Sequence, residues 1–182
     1  NQHDRCPRQT TVMPWSANNP RFCKTCRWVH SHCLCGLLKR FSTELSITFL
    51  VDKREQKSSR NTSWLMHQSL QSSHWCLSID ELKDLGQSAI LFLDDDALES
   101  NLFDKKLFNK KDNYTLEHLI IVDGTWSQAR ALRKQLSHIP SIKLSQTYQA
   151  NNTRRQSVGE NHLCTLEAVS AILLELEDQQ SL

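Results

Sequence analysis

The sequence predicts an α/β domain, a mostly parallel sheet flanked by helices, with a small N-terminal zinc knuckle. Three observations carry this. Short apolar, β-branched runs at 46–51, 89–93 and 118–122 alternate with segments of helical periodicity. Four of the seven cysteines fall between Cys23 and Cys35. The run Ile120-Ile121-Val122 then ends abruptly in Asp123-Gly124-Thr125-Trp126, and a helical pattern begins directly behind it. In open α/β sheets ligands bind at the carboxyl ends of strands, so this turn is the expected centre of a pocket.

A chain of 182 residues most simply forms one core. Four glycines and four prolines argue against a fibrous or disordered chain. There is no apolar run long enough for a transmembrane helix, and Asn1 to Cys6 lacks the apolar core of a signal peptide. A soluble cytoplasmic protein, by default a monomer, is therefore expected. The net charge of +2 alone does not imply nucleic acid. Its distribution is more informative: Lys105-Lys106-Lys110-Lys111, Arg130-Arg133-Lys134 and Arg154-Arg155 form basic clusters. Each reads either as a phosphate-binding face or as solvated surface.

In chain order, residues 1–20 are polar and broken by Pro7, Pro14 and Pro20, which predicts an extended arm. Residues 21–40 hold Cys23-x2-Cys26-x6-Cys33-x-Cys35. A Cys-x2-Cys turn lets two sulfurs converge on one ion, and Cys33 with Cys35 would complete a tetrahedral thiolate set. His30 or His32 could replace one thiolate, and four reduced thiols without metal is the plainer alternative. A structural zinc is the expectation, because four filled positions leave no place for a catalytic water. Seven cysteines, an odd number, do not make a secreted disulfide framework.

Residues 41–182 form the α/β domain. Its first strand runs into a charged loop at 52–60, and Asn61-Thr62-Ser63 supplies cap-type residues for a helix starting near Asn61 or Thr62. Such a helix N-terminus could hold a carboxylate or phosphate. Residues 79–85 could form a short helix. Asp94-Asp95-Asp96 reads as a capped loop or, less simply, a cation site. A lysine-rich surface insertion is expected over 99–116. Behind Trp126, Ala129, Leu132 and Leu136 mark a helix stopped by Pro140, followed by a short strand at 142–144. Thr165 is expected to cap the last helix, with Glu167 in its first turn complementing the dipole.

Four motifs occur in one order: the cysteine set, Glu55-x5-Asn61-Thr62, Asp123-Gly124-Thr125-Trp126, and Arg154 followed by Cys164-Thr165-Leu166-Glu167-Ala168. Together they resemble the DTW-domain family over about residues 21–177. Family members often carry His-Pro where this chain has Asp52-Lys53, and Gly-Arg or a similar pair where it has Ser63-Trp64. The resemblance implies an S-adenosylmethionine-dependent tRNA-uridine aminocarboxypropyltransferase, with a fold related to the knotted SPOUT methyltransferases and hence a C-terminal knot.

On this reading Asp123 is the base that removes the uridine N3 proton. Glu55, Asn61, Thr62, Asp123, Gly124, Thr125, Trp126, Thr165 and Glu167 would line the S-adenosylmethionine site. Arg130, Arg133, Lys134, Arg154 and Arg155 would face tRNA, with the cofactor carboxylate as the alternative partner of Arg154 and Arg155. Trp126 reads equally as a core tryptophan or as a stacking face for a base. Two other classes compete: a non-catalytic zinc-knuckle RNA-binding module, and a SPOUT-like RNA methyltransferase.

Overall fold

A computed structural model describes residues 16, 18–58, 61–82, 87–102, 116–149 and 163–177. Six strands form one sheet in the order β2-β1-β5-β3-β6-β4, and every pairing is parallel. The strands are β1 Ser46–Val51, β2 Ser73–Cys76, β3 Ser88–Leu91, β4 Leu98–Glu99, β5 His118–Asp123 and β6 Ser141–Lys143. The helices are α1 Thr62–Ser69, α2 Trp126–Gln135 and α3 Thr165–Glu177.

A parallel sheet covered on both faces needs strands that are apolar on both sides, and β1 and β5 satisfy this. Ile47, Phe49, Val51, Leu119 and Ile121 pack beneath Met66 and Leu70 of the α1 region and Val169, Ile172 and Leu173 of α3. The alternate residues Leu50, Ile90 and Ile120 pack on the other face against Leu132, Leu136 and Ile139, from α2 and the turn after it.

The connection from β1 through α1 leads to β2 on one side, whereas β5 through α2 leads toward β6 on the other. With right-handed crossovers, opposite directions require opposite faces. The boundary between β1 and β5 is therefore the topological switch point, and its carboxyl edge is where such sheets open a ligand crevice. The register pairs Val51 with Asp123, which puts Asp123 at that edge.

Two strands escaped the sequence reading. Ser73–Cys76 and Leu98–Glu99 are short edge strands, and neither has an alternating apolar pattern. The segment read as a possible helix over 79–85 forms one 3-10 turn at Ile79–Glu81. The arm at 1–15 and most of the lysine-rich insertion lie outside the described residues, as does the segment 150–162 on whose path a knot would depend.

The last helix is tied down by two carboxylates. Glu175 accepts from Ser100 Oγ, from the backbone N–H groups of Ser145 (2.9 Å) and Gln146 (3.1 Å), and from Ser145 Oγ (3.0 Å). Glu177 accepts from the Leu45 N–H at 2.9 Å.

Candidate active site

Asp123 is the meeting point of three segments far apart in sequence. Its Oδ2 accepts from Asn61 Nδ2 at 3.0 Å and from Ser63 Oγ at 2.8 Å, and its Oδ1 accepts from Thr165 Oγ1 at 2.5 Å. One carboxylate at the end of β5 thus joins the N-termini of α1 and α3. The side chains that reach it are short and their helices are packed, so the arrangement is rigid. The Asp123 carbonyl also accepts from the Asp52 N–H at 3.1 Å, extending the β1–β5 ladder by one rung.

Asn61 is the N-cap of α1, since its Oδ1 accepts from the Trp64 N–H at 3.0 Å. Thr62 is the first helical residue. Ser63 is fully buried, and its hydroxyl also contacts Asn61 Oδ1. A hydroxyl has one proton, so Ser63 can donate to Asp123 or to Asn61 at any moment, not to both. Sequence reasoning missed Ser63 because a serine beside a cap reads as capping chemistry alone.

Gly124 sits at φ +157°, and a Cβ there would lie 3.0 Å from Gln128 Oε1 and 3.1 Å from Gln128 Cβ. Gln128 occupies that space because it closes a capping box. Thr125 Oγ1 accepts from the Gln128 N–H at 3.4 Å, while Gln128 Oε1 accepts from the Thr125 N–H at 2.6 Å. The Thr-x-x-Gln spacing is what lets the two side chains reach each other's backbone. Thr125 is therefore first of all a cap.

Trp126, the first residue of α2, is 42% exposed and meets Phe92 edge to face with centroids 6.2 Å apart. Its ring is therefore no core plug. Arg130 and Lys134 follow it at intervals of four residues on the same helix face, both exposed.

Two expectations change. Thr165 does not cap α3; it is the first helical residue, and its hydroxyl turns to Asp123. Glu167 makes the local contact instead, accepting from the Cys164 N–H at 2.7 Å. Arg133, expected on the RNA face, is turned inward: its Nε donates to Asp94 Oδ2 at 2.5 Å, its Nη1 donates to the Leu136 carbonyl at 2.8 Å, and its side chain is only 11% exposed. That pair also accounts for Asp94 without a cation. Glu55 lies in loop 52–58, where its N–H donates to the Asp52 carbonyl at 2.8 Å. Arg154 and Arg155 lie outside the described residues.

The knuckle brings Cys23, Cys26, Cys33 and Cys35 together, all four sulfurs within 4.8 Å of one another. Cys23 and Cys35 are 3.5 Å apart and Cys26 and Cys33 are 3.8 Å apart. A zinc–sulfur bond of about 2.3 Å in a tetrahedron sets sulfurs about 3.8 Å apart, so the thiols fit that ion. His30 and His32 are exposed and stand outside this set. The Cys26 backbone N–H pulls the Cys23 thiol down to about 6, and the hydrogen bond with Cys23 pushes Cys35 up to about 12. Crowding thiols in this way disfavours four anions together; a dication relieves the repulsion.

The knuckle packs on the domain through Cys23, Cys26 and Leu65, with Trp28, Leu34, Leu38 and Leu166 around them. A polar cleft of about 350 Å³ lies beside it, lined by Arg40, His67, Gln68 and Ser73 among others. It shares no residue with the Asp123 network and sits by the amino end of β2, away from the switch point.

A parallel α/β domain with a carboxylate at its switch point, and beside it four close cysteines that could hold a metal ion, defines the class. The DTW domain family model matches residues 20–182, nearly the whole chain, and the protein belongs to that family. Membership supports a role in tRNA modification in general terms. No curated protein and no solved structure matches the chain. Among the described residues no helix is long and apolar enough to cross a membrane.

Proposed function

We propose that the protein transfers the 3-amino-3-carboxypropyl group of S-adenosylmethionine to N3 of a uridine in tRNA, acting in the cytoplasm on a SPOUT-related, C-terminally knotted scaffold. The carrying observation is the convergence of the Asn61, Asp123 and Thr165 segments on one carboxylate at the switch point. The donor supplies an electrophilic Cγ next to a sulfonium, with methylthioadenosine as leaving group. The rest falls to the chain.

Asp123 takes the N3 proton as the nitrogen attacks. Three donors engage three of its roughly four lone-pair positions, and Ser63 can free another. Turning the Ser63 hydroxyl toward Asn61 Oδ1 releases one acceptor position on Asp123 without leaving the hydroxyl unpaired. Near-attack geometry then depends on α1 and α3, whose N-termini Asp123 fixes; such positioning is worth several kcal/mol, on the order of other proximity effects. Glu55, on the loop entering α1, would meet the ammonium of the donor, and Trp126 would stack on a base at the rim. Gly124, Thr125 and Glu167 support the walls through the contacts described above. Arg130 and Lys134, below Trp126, would meet the tRNA backbone, with Arg154 and Arg155 as further candidates.

The test is nucleoside mass spectrometry of tRNA incubated with the protein and S-adenosylmethionine. The expected product is 3-(3-amino-3-carboxypropyl)uridine with methylthioadenosine in equal amount. Adenosylhomocysteine with a methylated nucleoside would identify a methyltransferase instead. Absence of any S-adenosylmethionine binding by calorimetry would leave the RNA-binding module.

A further inference from the structure

The knuckle reaches into the domain through one side chain. Arg27 follows Cys26 directly and sits at φ +65°, its N–H donating to the Cys23 carbonyl at 3.0 Å, so it is part of the turn that wraps the thiols. A non-glycine residue held there is strained and persists because its surroundings demand it. From that turn the Arg27 side chain runs inward and is only 8% exposed. Its guanidinium carbon lies 3.2 Å from the centroid of the Trp64 ring, and its Nη1 donates to the Gln56 carbonyl at 3.1 Å. Trp64 answers in the other direction, its Nε1 donating to the Thr25 carbonyl, inside the Cys-x2-Cys turn, at 2.7 Å. Gln56 belongs to the loop 52–58 that carries Glu55, and Trp64 to the first turn of α1, whose cap is Asn61.

We infer that Arg27 is a positioning residue through which the metal state of the knuckle sets the conformation of loop 52–58. The direction in which the side chain leaves the turn is fixed by the left-handed backbone, which the Arg27 N–H to Cys23 carbonyl and Cys23 N–H to Trp28 carbonyl bonds close and which the thiols would lock when they hold an ion. When the ion leaves, the turn keeps only its backbone bonds, Arg27 N–H to the Cys23 carbonyl and Cys23 N–H to the Trp28 carbonyl (2.7 Å). The thiols no longer lock it, the guanidinium no longer has to lie over Trp64, and the loop loses the donor on Gln56. The sheet beneath is untouched, because β1 and β5 are held by their own ladder and core. The knuckle thus acts as a clamp on the loop entering α1 and not as a detached appendage. A stacked arginine can serve the ring and the carbonyl together, because its planar fork keeps its donors in the ring-parallel plane; a lysine ammonium cannot do both.

Hydrogen exchange on the intact protein tests this and needs neither donor nor RNA, so its outcome is independent of the transferase reading. Three samples are compared: wild type, wild type stripped with a chelator, and Arg27→Gln, each with metal content measured. Chelation is expected to speed exchange of the Glu55 and Ser58 amides by about tenfold or more while the Ile120 and Ile121 amides hold. Arg27→Gln should keep about one equivalent of metal, show the same faster loop exchange, and gain little more on chelation. If Arg27→Gln does not fold, Arg27→Lys replaces it and is expected to loosen the loop with metal retained. Loop exchange unchanged by chelation, or a metal-loaded Arg27 variant whose loop exchanges as wild type, overturns the inference.

Discussion

Asp123 carries two burdens that substitution can separate. As an architectural acceptor it satisfies Asn61, Ser63 and Thr165; as a base it must take a further proton. In Asp123→Asn the amide oxygen can still accept from Asn61 and Ser63, while its NH2 donates to Thr165, whose hydroxyl reverses to accept. The variant should therefore stay folded, within about 1–2 kcal/mol of wild type in urea unfolding. Its transfer rate should fall by at least about 100-fold, the usual worth of a positioned base. A rate equal to wild type would remove Asp123 from the proton path. Thr165→Val, which keeps shape and deletes one donor, should cost about 1 kcal/mol and loosen α3 more than it slows the chemistry. The acid itself was legible as the abrupt end of an apolar run. Its partners Asn61 and Thr165 were legible only as members of a recurring pattern, and Ser63 was not, because sequence does not show which of several hydroxyls faces a carboxylate 60 residues away.

Elements reveal how much of the site is capping. The turn after β5 works because Gly124 leaves room for Gln128, which closes the box with Thr125. Thr125→Ala should lower stability by about 1 kcal/mol, and Gly124→Ala by about 1–3 kcal/mol, the latter through both φ and the Gln128 contact. Thermal unfolding measures both; equal costs would mean that the crowding at Gly124 is relieved by a rotation of Gln128. Near the C-terminal end of α1 the same scale yields a pH effect. Burial, and then the charge of Arg27, holds the His67 imidazole below its ordinary value. The unfolded chain takes up this proton near pH ~6.5, whereas the folded chain resists it. Stability associated with His67 is thus full above about pH 6.5 and is lost as pH falls toward the lower folded value. Wild type should therefore lose urea midpoint, as pH falls below about 6.5, more steeply than His67→Gln, which keeps a partner for Ser73 Oγ. Both proteins share the acid-sensitive thiols, so the difference isolates His67; parallel slopes would exclude it. The helices and long strands were legible from their periods, while β2 and β4 were not, since edge strands of four and two residues carry no period to read.

At the scale of the whole molecule, the question is which of the basic residues are available to a polyanion. Sequence grouped Arg130, Arg133 and Lys134 as one cluster, and the fold divides it. Arg133 is committed to Asp94 and the Leu136 carbonyl, whereas Arg130 and Lys134 continue the exposed stripe that begins at Trp126. Cations that point into solvent gain affinity by releasing counterions from phosphate; a cation already paired and mostly buried does not. The double variant Arg130→Glu/Lys134→Glu should therefore weaken tRNA binding by about tenfold or more at low salt and reduce the slope of log Kd against log salt by about 2. Its unfolding should match wild type, and S-adenosylmethionine binding should not change. Arg133→Glu should do the reverse, destabilising the fold by setting two carboxylates against each other, with its salt slope intact in the folded fraction. Filter binding across a salt series, paired with thermal unfolding, separates the two outcomes. An unchanged slope in the double variant would move the tRNA face off α2 altogether.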